Sequence, residues 1–422
     1  MPKSVIVVGT GNAALCAAIA ALEKGASVTL LEKADEALAG GNTKYTAGAM
    51  RFAYDGAEDL MPLLRDPNDA RLSVTDFGSY TTGKFGADLL GFNDGRPLSE
   101  EQQTLVNTSL ETMGWLASHD VNFEPIYSRQ SFEKDGRHVF WGGLTLAAEN
   151  EGVGLFDMEL AAVERMGGIV RYNSAVTGLI MDGARVVGVR VGDEELHADA
   201  VILASGGFEA NEDMRVAHMG PNWKAAKVRG TPHNTGDGLR MAEAAGAEAN
   251  GLYKGSHATP MDLHMADFGN LDLPPGERKN YRKICYFLGV MLNAKGDRFV
   301  DEGINFRNYT YAQYGAAILE QPGQFAWQVF DSKVFDLLYG EYSFHDAHFV
   351  EADTLEALVA KMEGVDPAGA MATLAAYNAA VDTETPFDPT SLDGKGTKGL
   401  ALAKSNWAQT LDKGPFRAFP VT

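Results

Sequence analysis

Apolar positions at the start of the chain follow a strand pattern, then a helix pattern, then a strand pattern again. Residues 4–8 (SVIVV) form a continuous apolar run, which is typical of a parallel strand buried on both faces. Residues 13–24 are rich in Ala and Leu, and Leu15 and Ile19 are spaced for one helix face. Residues 27–31 (SVTLL) form a second apolar run. The pattern predicts a strand–helix–strand unit.

The same kinds of signal predict later elements. The main ones are a helix that starts with the capping-box pair Ser99 and Gln102, an amphipathic helix at 153–166 closed by Gly167-Gly168, strands separated by turns at Asp182-Gly183 and Gly192-Asp193, and two short helices within 353–381. Residues 256–330 are richer in aromatic and mixed polar positions, and Pro274-Pro275-Gly276 interrupts them. We therefore expect a second domain to begin near residue 250.

Composition and charge narrow the class of protein. The 422 residues are 45% apolar and 22% charged, as in ordinary globular proteins, and the formal net charge is -21. Such an acidic protein is a poor partner for nucleic acid or an anionic membrane, although a local basic pocket could still bind a small anion. The two cysteines, Cys16 and Cys285, form no metal-binding or disulfide pattern. The chain has no run of about 18 apolar residues and no signal-peptide pattern, so we expect a cytoplasmic enzyme without a metal.

A glycine-rich turn follows the first predicted strand. Gly9, Gly11 and Ala14 give G-x-G-x-x-A at the start of the predicted helix, where backbone N–H groups and the helix dipole favour a pyrophosphate. Glu32 ends the second strand, where a carboxylate can accept hydrogen bonds from ribose hydroxyls. A tight turn without a ligand is the alternative. The strand, helix, second strand and Glu32 occur together in the expected order, which favours dinucleotide binding.

The segment GGNTKYTAGAM at 40–50 bears on which dinucleotide is bound. Paired glycines and small polar residues suit a loop that runs closely along a resident cofactor. A surface loop is the alternative, and the embedded Tyr45 and Met50 argue against it.

Several segments together resemble the fumarate reductase/succinate dehydrogenase flavoprotein superfamily. They are VVGTGNAALCAA, LLEK, GGNTKYTAGAMRFAY, LASGGFEAN, VRGTPHNTGDGLRMA, GDRFVDEGINFRNYTYA and KSNWAQ. Within the superfamily they look most like FAD-dependent tricarballylate dehydrogenases. The resemblance implies an α/β fold, with a Rossmann-like FAD-binding domain of the glutathione-reductase type and an inserted α+β cap domain. The implied boundaries are 1–250 for the FAD-binding domain, 251–410 for the cap, and 411–422 for the start of the return to the FAD domain.

The resemblance also implies the residues that bind FAD. These are Gly9, Gly11, Asn12, Ala13, Ala14, Glu32, Lys33, Gly41, Asn42, Thr43, Ala47, Gly48, Val176, Ala204, Ser205, Gly206, Gly207 and Asp237. Succinate dehydrogenases carry a flavin-linked histidine in the GGNT-like loop. Residues 40–50 contain no histidine, so we expect FAD to be bound without a covalent link.

Two residues outside the nucleotide motif are candidates for the chemistry. His257 lies in GSHATPMD and Arg307 in GDRFVDEGINFRNYTYA, and on the residues alone a structural role is at least an equal alternative for both. The resemblance implies that His257 binds a substrate carboxylate and that Arg307 exchanges a proton with the substrate carbon. An arginine keeps its proton at neutral pH, so a relay is needed, for which Asp301 and Glu302 are candidates by sequence proximity.

Other residues near these segments leave the substrate open. Tyr281 and Arg282 are further pocket candidates, with a surface position an equal alternative. The Thr-Glu pair that follows the histidine in fumarate reductases is not evident, because MDLHMADFG stands there. The departure favours another carboxylate substrate.

The resemblance therefore implies an FAD-dependent dehydrogenase of a small polycarboxylate, with tricarballylate to cis-aconitate as the first expectation. A fumarate-type or other enoate reductase, a 3-oxosteroid dehydrogenase and an inactive flavin-binding fragment are the alternatives, and the cationic pair counts against the steroid. The implied partners are the polycarboxylate and an electron-accepting redox partner, either soluble or membrane-associated, with no nucleic acid.

The end of the chain carries one more expectation. Related flavoproteins continue beyond KSNWAQTLDKGPFRAFPVT with a glycine-rich strand pair, a Gly-Glu loop and a final helix. The resemblance thus implies a chain that is incomplete at its C-terminus. We expect these 422 residues to bind FAD weakly or not at all and to lack dehydrogenase activity.

Overall fold

Strands and helices alternate in the computed structural model, which describes residues 2–93, 95–140, 142–278, 281–344 and 346–422. The strands are β1 (Ser4–Val8), β2 (Ser27–Leu31), β3 (Ala49–Met50), β4 (Thr75–Asp76), β5 (Phe123–Pro125), β6 (Ser131–Lys134), β7 (Arg137–Phe140), β8 (Leu146–Ala148), β9 (Ile169–Arg171), β10 (Val176–Asp182), β11 (Arg185–Val191), β12 (Glu194–His197), β13 (Ala200–Leu203), β14 (Val290–Leu292), β15 (Ala326–Asp331), β16 (Val350–Ala352) and β17 (Phe416–Val421). The helices are α1 (Asn12–Glu23), α2 (Ala57–Leu60), α3 (Thr82–Leu90), α4 (Glu100–Ser118), α5 (Tyr127–Gln130), α6 (Glu151–Arg165), α7 (Glu212–Met219), α8 (Asp237–Ala244), α9 (Arg307–Leu319), α10 (Leu355–Val359) and α11 (Pro367–Ala380).

The chain divides into two compact units. The first unit comprises 1–208, 230–249 and 274–276, and the second unit comprises 209–229, 250–273 and 277–422. The two units are described separately below.

A parallel sheet organises the nucleotide end of the first unit, as the strand–helix–strand pattern predicts. Its strand order is β13-β1-β2-β9, and β1 pairs in parallel with both β2 and β13. Val7 and Leu30 pack with α1 and α6 in one core, whereas Ile6 and Val8 belong to a second core that includes Val189 of β11. Successive side chains of a strand point to opposite faces, so a continuous apolar run is needed where both faces are covered.

Three antiparallel or mixed sheets complete the first unit. Their strand orders are β10-β11-β12, β3-β8-β5 and β4-β7-β6. The predicted turn at Asp182-Gly183 is confirmed, since β10 and β11 pair up to Asp182 and Arg185. The predicted capping box is also confirmed. The side chain of Ser99 accepts from the Gln102 N–H, and the side chain of Gln102 accepts from the Ser99 N–H.

An antiparallel sheet forms the centre of the second unit, in the order β14-β15-β17-β16. One face packs on α10 and α11, with Trp327 and Val329 of β15 in that core, and the other face carries Phe330 and Phe419 in a separate core. The two helices predicted within 353–381 are confirmed as α10 and α11.

The end of the chain belongs to this second sheet. Residues 411–422 were expected to begin a return to the FAD domain, yet β17 pairs along its whole length with β15 and partly with β16. Residues 209–229, expected within the first domain, also lie in the second unit. Among the described residues, no helix combines the length and apolar character needed to cross a bilayer, and no group of three metal-ligating side chains occurs.

Candidate functional site

The turn between β1 and α1 is fixed by its glycines. Gly9 has φ +110°, and its N–H donates to the Leu31 carbonyl at 2.9 Å. A Cβ at Gly9 would lie 2.5 Å from the Ala204 carbonyl oxygen. Because of both the positive φ and this close approach, only glycine fits at this position.

The first turn of α1 presents backbone amides without an acidic side chain. Gly11 is the N-cap residue and offers no side-chain cap, and the Asn12 N–H donates to Thr43 Oγ1 at 2.9 Å. Ala13 is exposed, whereas Ala14 is fully buried against the sheet. A helix N-terminus whose cap residue has no side chain and whose first turn has no acidic residue suits an anion.

Glu32 is buried at the end of β2 and accepts two hydrogen bonds from the protein. One comes from the Thr10 hydroxyl, and the other comes from the Ala34 N–H at 2.8 Å. The Thr10 hydroxyl also accepts from the Gly40 N–H at 3.0 Å. Thr10, absent from the sequence-based list, therefore ties the glycine turn to Glu32 and to the GGNT loop.

Lys33 and Asp237 form an ion pair rather than isolated charges. Lys33 Nζ lies 2.7 Å from both Asp237 Oδ2 and Thr235 Oγ1, and Arg240 Nη2 lies 2.5 Å from Asp237 Oδ1. Burial acts to raise the pKa of Asp237, but the hydrogen bonds from Lys33 and Thr235 and the nearby charges outweigh it and lower that pKa. Asp237 is therefore held as a carboxylate.

The GGNT loop folds back onto the same region. Gly41, Asn42 and Thr43 lie in a short 3-10 helix, and Asn42 Oδ1 accepts from the Thr231 N–H at 2.9 Å. Ala47 is half-buried. Gly48 has φ +65°, and a Cβ on it would lie 2.6 Å from the backbone of Glu151.

Residues 204–207 and Val176 complete the region. The Ala204 N–H donates to Val8, and the Gly207 carbonyl accepts from Gly236. A Cβ on Gly206 would lie 2.7 Å from the amide nitrogen of Asn234, which the sequence-based list omitted although it begins the motif NTGDG. The Ser205 hydroxyl packs against Gly238: a Cβ on Gly238 would lie 2.2 Å from Ser205 Oγ. Val176 is buried at the start of β10.

These residues meet at one edge of the parallel sheet. Gly9, Glu32 and Ala204 directly follow the carboxyl ends of β1, β2 and β13. Ligands of open parallel sheets bind outside that edge. The positive end of α1, the close-packed glycines and the buried carboxylate fit the diphosphate and ribose of a dinucleotide.

His257 belongs to the second unit and contacts helix α9. Its Nε2 lies 3.0 Å from the Tyr311 hydroxyl, and the two rings meet edge-on with centroids 5.0 Å apart. The side chain is solvent-exposed, yet surrounding protein desolvates the ring enough to lower its pKa, and the positive charges of Arg229 and Arg282 lower it further. The imidazole is therefore held neutral near pH 7.

Arg307 begins α9 and is 9% exposed. Its guanidinium lies over the Tyr339 ring at 4.5 Å, and the Tyr339 N–H donates to Cys285 Sγ at 3.4 Å. Burial raises the pKa of Cys285 to about 12, with smaller opposing effects that include the charge of Arg307. The thiol is therefore a packing group and not a nucleophile.

Arg282 is partly buried rather than on the surface. Its Nη2 lies 2.5 Å from Glu341 Oε1, and both side chains are largely shielded from solvent. Arg229, Arg282 and Arg307 are called the cationic cluster below, and the charges of the first two act on the neutral His257. Tyr311, Tyr339 and Glu341 were missed because their partners lie up to 59 residues away; the position of Tyr311 one helical turn after Arg307 was the one available signal.

Asp301 and Glu302 make structural contacts and, among the described residues, do not form a proton relay to Arg307. Glu302 is fully buried, pairs with Arg298 at 2.5 Å, and accepts from the Met291 N–H at 2.8 Å. Asp301 accepts from both the N–H and the hydroxyl of Ser405. The ion-pair alternative describes these two carboxylates better than the relay does.

The parallel sheet, glycine turn and second α+β unit define a dinucleotide-binding flavoprotein fold. The chain belongs to the FAD binding domain family, whose model matches residues 4–418. FAD is therefore its cofactor, and the predicted fold class is confirmed. This family is in line with the flavoprotein superfamily that the sequence motifs resemble.

Named relatives and solved structures agree with this assignment. The chain is 30% identical to a fumarate reductase (cytochrome) of Shewanella frigidimarina over 427 residues, covering 99% of this chain and 65% of the relative. It is 26% identical to an NADH:acrylate oxidoreductase of Vibrio harveyi over 478 residues, covering 99% of this chain and 43% of the relative. This chain thus spans less than two thirds of either relative.

Two solved structures show the same fold. An open conformation of a flavocytochrome c3 fumarate reductase has TM-score 0.68 at 24% identity, covering 100% of this chain and 67% of that one. A 3-ketosteroid delta1-dehydrogenase from Sterolibacterium denitrificans has TM-score 0.69 at 20% identity, covering 99% and 87%.

Proposed function

We propose that this protein is an FAD-dependent oxidoreductase that reduces the carbon–carbon double bond of a small unsaturated carboxylate. Fumarate and acrylate are the first compounds to test because relatives are named for them, although MDLHMADFG lacks the Thr-Glu pair of fumarate reductases. The cationic cluster in the second unit of a protein with net charge -21 is the observation that carries the proposal. Concentrated positive groups on an acidic protein suit an anionic ligand.

The direction of the reaction is proposed from the relatives. Those described above are named for fumarate and for acrylate, both unsaturated acids, whereas tricarballylate does not appear in their names. Oxidation of tricarballylate or succinate by the same residues is the reverse reaction, and it is included in the test below.

The residues at the edge of the parallel sheet are those that would hold FAD. The Gly11 N–H and the positive end of α1 would bind the diphosphate, and Glu32 would accept from the adenosine ribose with the lone pairs that Thr10 and Ala34 leave. When bound and reduced by two electrons from a redox partner, the FAD would supply the hydride for one alkene carbon.

The second unit supplies binding and a proton. Arg282 and neutral His257 can bind carboxylate oxygens, which withdraws electron density from the alkene. Arg307, whose guanidinium lies over the Tyr339 ring at the start of α9, can donate the proton to the second carbon. Because Asp301 and Glu302 are engaged in other contacts, water must return that proton to Arg307. Reduction therefore adds one hydride and one proton across the double bond.

The test starts from purified protein loaded with FAD, chemically reduced without oxygen, and mixed with one compound at a time. We expect fumarate or acrylate to reoxidise the flavin, and a 3-oxo-4-ene steroid to leave it reduced. Oxidised protein is mixed in parallel with succinate and with tricarballylate. Reoxidation by the steroid alone, or reduction by tricarballylate without any response to an enoate, would overturn the proposal.

The link between protein and flavin is tested on the same sample. Acid precipitation should release all the FAD into the supernatant, because the GGNT loop offers no histidine for a covalent bond. Flavin that stays in the pellet would contradict this.

A further inference from the structure

Tyr311 contacts one proposed site residue of the second unit, His257, and shares a helix face with the other, Arg307. It lies four residues after Arg307 in α9, so both side chains occupy the same face of the first helical turns. Its hydroxyl is the described partner of His257 Nε2, at 3.0 Å, and its ring packs edge-on against the imidazole.

We propose that Tyr311 is the positioning residue of His257: its hydroxyl donates to Nε2 and so holds the imidazole as the neutral tautomer with its proton on Nδ1. The inference rests on the proposed function in one respect, namely that the Nδ1 proton serves a substrate carboxylate.

The argument follows from the donors of a neutral imidazole. A neutral ring has one N–H donor and one acceptor nitrogen. If Nε2–H donated to the tyrosine oxygen, Nδ1 would hold a lone pair and would repel a carboxylate. If the tyrosine donates to Nε2, the proton is on Nδ1 and can bind the carboxylate.

The surroundings of His257 make this choice matter. Desolvation and the charges of Arg229 and Arg282 oppose protonation of the ring. The imidazolium form, which would carry a donor on both nitrogens, is therefore disfavoured. The edge-on ring contact also limits rotation of the imidazole, because the tyrosine ring lies 5.0 Å from it.

A variant pair separates positioning from general packing. Tyr311→Phe removes the hydroxyl and keeps the ring. Tyr309→Phe is the matched control, since Tyr309 is on the same helix and 44% exposed. It lies two residues before Tyr311 and therefore on a different face of the helix from the one that meets His257.

The primary measurement is the nitrogen NMR spectrum of histidine-labelled protein, which distinguishes protonated from unprotonated ring nitrogens. His257→Gln identifies the His257 signals by their loss. We expect Nδ1 protonated in the parent chain and in Tyr309→Phe, and a shift of the proton to Nε2 in Tyr311→Phe. A parent chain with the proton on Nε2, or an unchanged spectrum in Tyr311→Phe, would overturn the proposal.

A second measurement tests the consequence for substrate. With fumarate, Tyr311→Phe should raise KM about tenfold and change kcat less, because it disturbs a binding donor and leaves Arg307 in place. An unchanged KM together with a changed tautomer would overturn the carboxylate role. Failure of fumarate as substrate, with the tautomer result as expected, would instead count against the proposed function alone.

Discussion

The nucleotide region of the first unit and the cationic cluster of the second unit are built in different ways. In the first, backbone conformation decides the geometry: Gly9, Gly48 and Gly206 all have positive φ, and a Cβ on each would meet another atom within 3 Å. In the second, side chains from distant segments meet, as with His257 and Tyr311 or Arg282 and Glu341. A backbone-built site tolerates few residue types, whereas a side-chain site can change specificity by single substitutions.

The largest effect is expected for Arg307→Lys in the second region. A lysine carries the charge but lacks the planar guanidinium that lies over Tyr339, so turnover with fumarate should fall by about a thousandfold while FAD binding is unchanged. Steady-state kinetics and flavin content measure the two quantities.

Arg417→Lys is the matched control for that substitution. Arg417 also lies over an aromatic ring, that of Phe335 at 4.3 Å, but it pairs with Glu351 outside the cluster. Equal activity losses in the two variants, or near-normal turnover in Arg307→Lys, would show that Arg307 is not the proton donor.

The comparison explains what the sequence could predict. The turn at Gly9 and the strand end at Glu32 follow from local patterns, because these parts of the site are encoded in contiguous residues. Tyr339 and Glu341 carry no such signal, since a side-chain contact depends on tertiary packing. Asp301 and Glu302 show the converse, because proximity to Arg307 in sequence suggested a relay that their actual partners do not support.

Glu302→Gln should show whether Glu302 stabilises the fold or takes part in proton transfer. Removing one charge of the buried pair with Arg298 leaves the guanidinium poorly compensated, so unfolding free energy should fall by about 3 kcal/mol. Urea denaturation measures this. Glu351→Gln, which breaks the partly exposed pair with Arg417, should cost less than about 1 kcal/mol. A Glu302→Gln variant with parent stability but no turnover would restore the relay hypothesis.

A buried carboxyl group gives the first unit a pH-dependent stability. Glu159 of α6 is fully buried; its Oε1 accepts from Cys16 at 3.6 Å, and Oε2 has no partner among the described residues. Burial raises the pKa of Glu159 to about 8, whereas an unfolded glutamate titrates near about 4.3. Stability contributed by the neutral form is complete below the unfolded value and is lost as the pH rises through the folded value.

The free energy of unfolding of Glu159→Gln should therefore increase relative to that of the parent chain as the pH rises. Its amide cannot ionise, so the two unfolding free energies should be similar near about pH 4 and differ by on the order of 4 kcal/mol near about pH 8. Urea denaturation across this range measures the difference. Glu164→Gln, exposed on the same helix, should follow the parent curve. A constant offset of Glu159→Gln at every pH would contradict the assignment.

The last prediction tests the backbone-built region directly, through two glycines that flank α1. Gly9→Ala and Gly25→Ala both place a side chain at positive φ, +110° and +77°, so both should lose about 1 kcal/mol of stability or somewhat more. They differ in their surroundings, because the new Cβ would lie 2.5 Å from the Ala204 carbonyl oxygen at Gly9 but would meet nothing within 4 Å at Gly25. Relief of that clash must shift the turn that presents the amides of α1, so FAD affinity should fall about 10- to 100-fold in Gly9→Ala only, which corresponds to about 1.4–2.8 kcal/mol. Titration of the apoprotein with FAD gives the affinities. Equal losses in both variants would mean that general strain, rather than the position of the turn, governs cofactor binding.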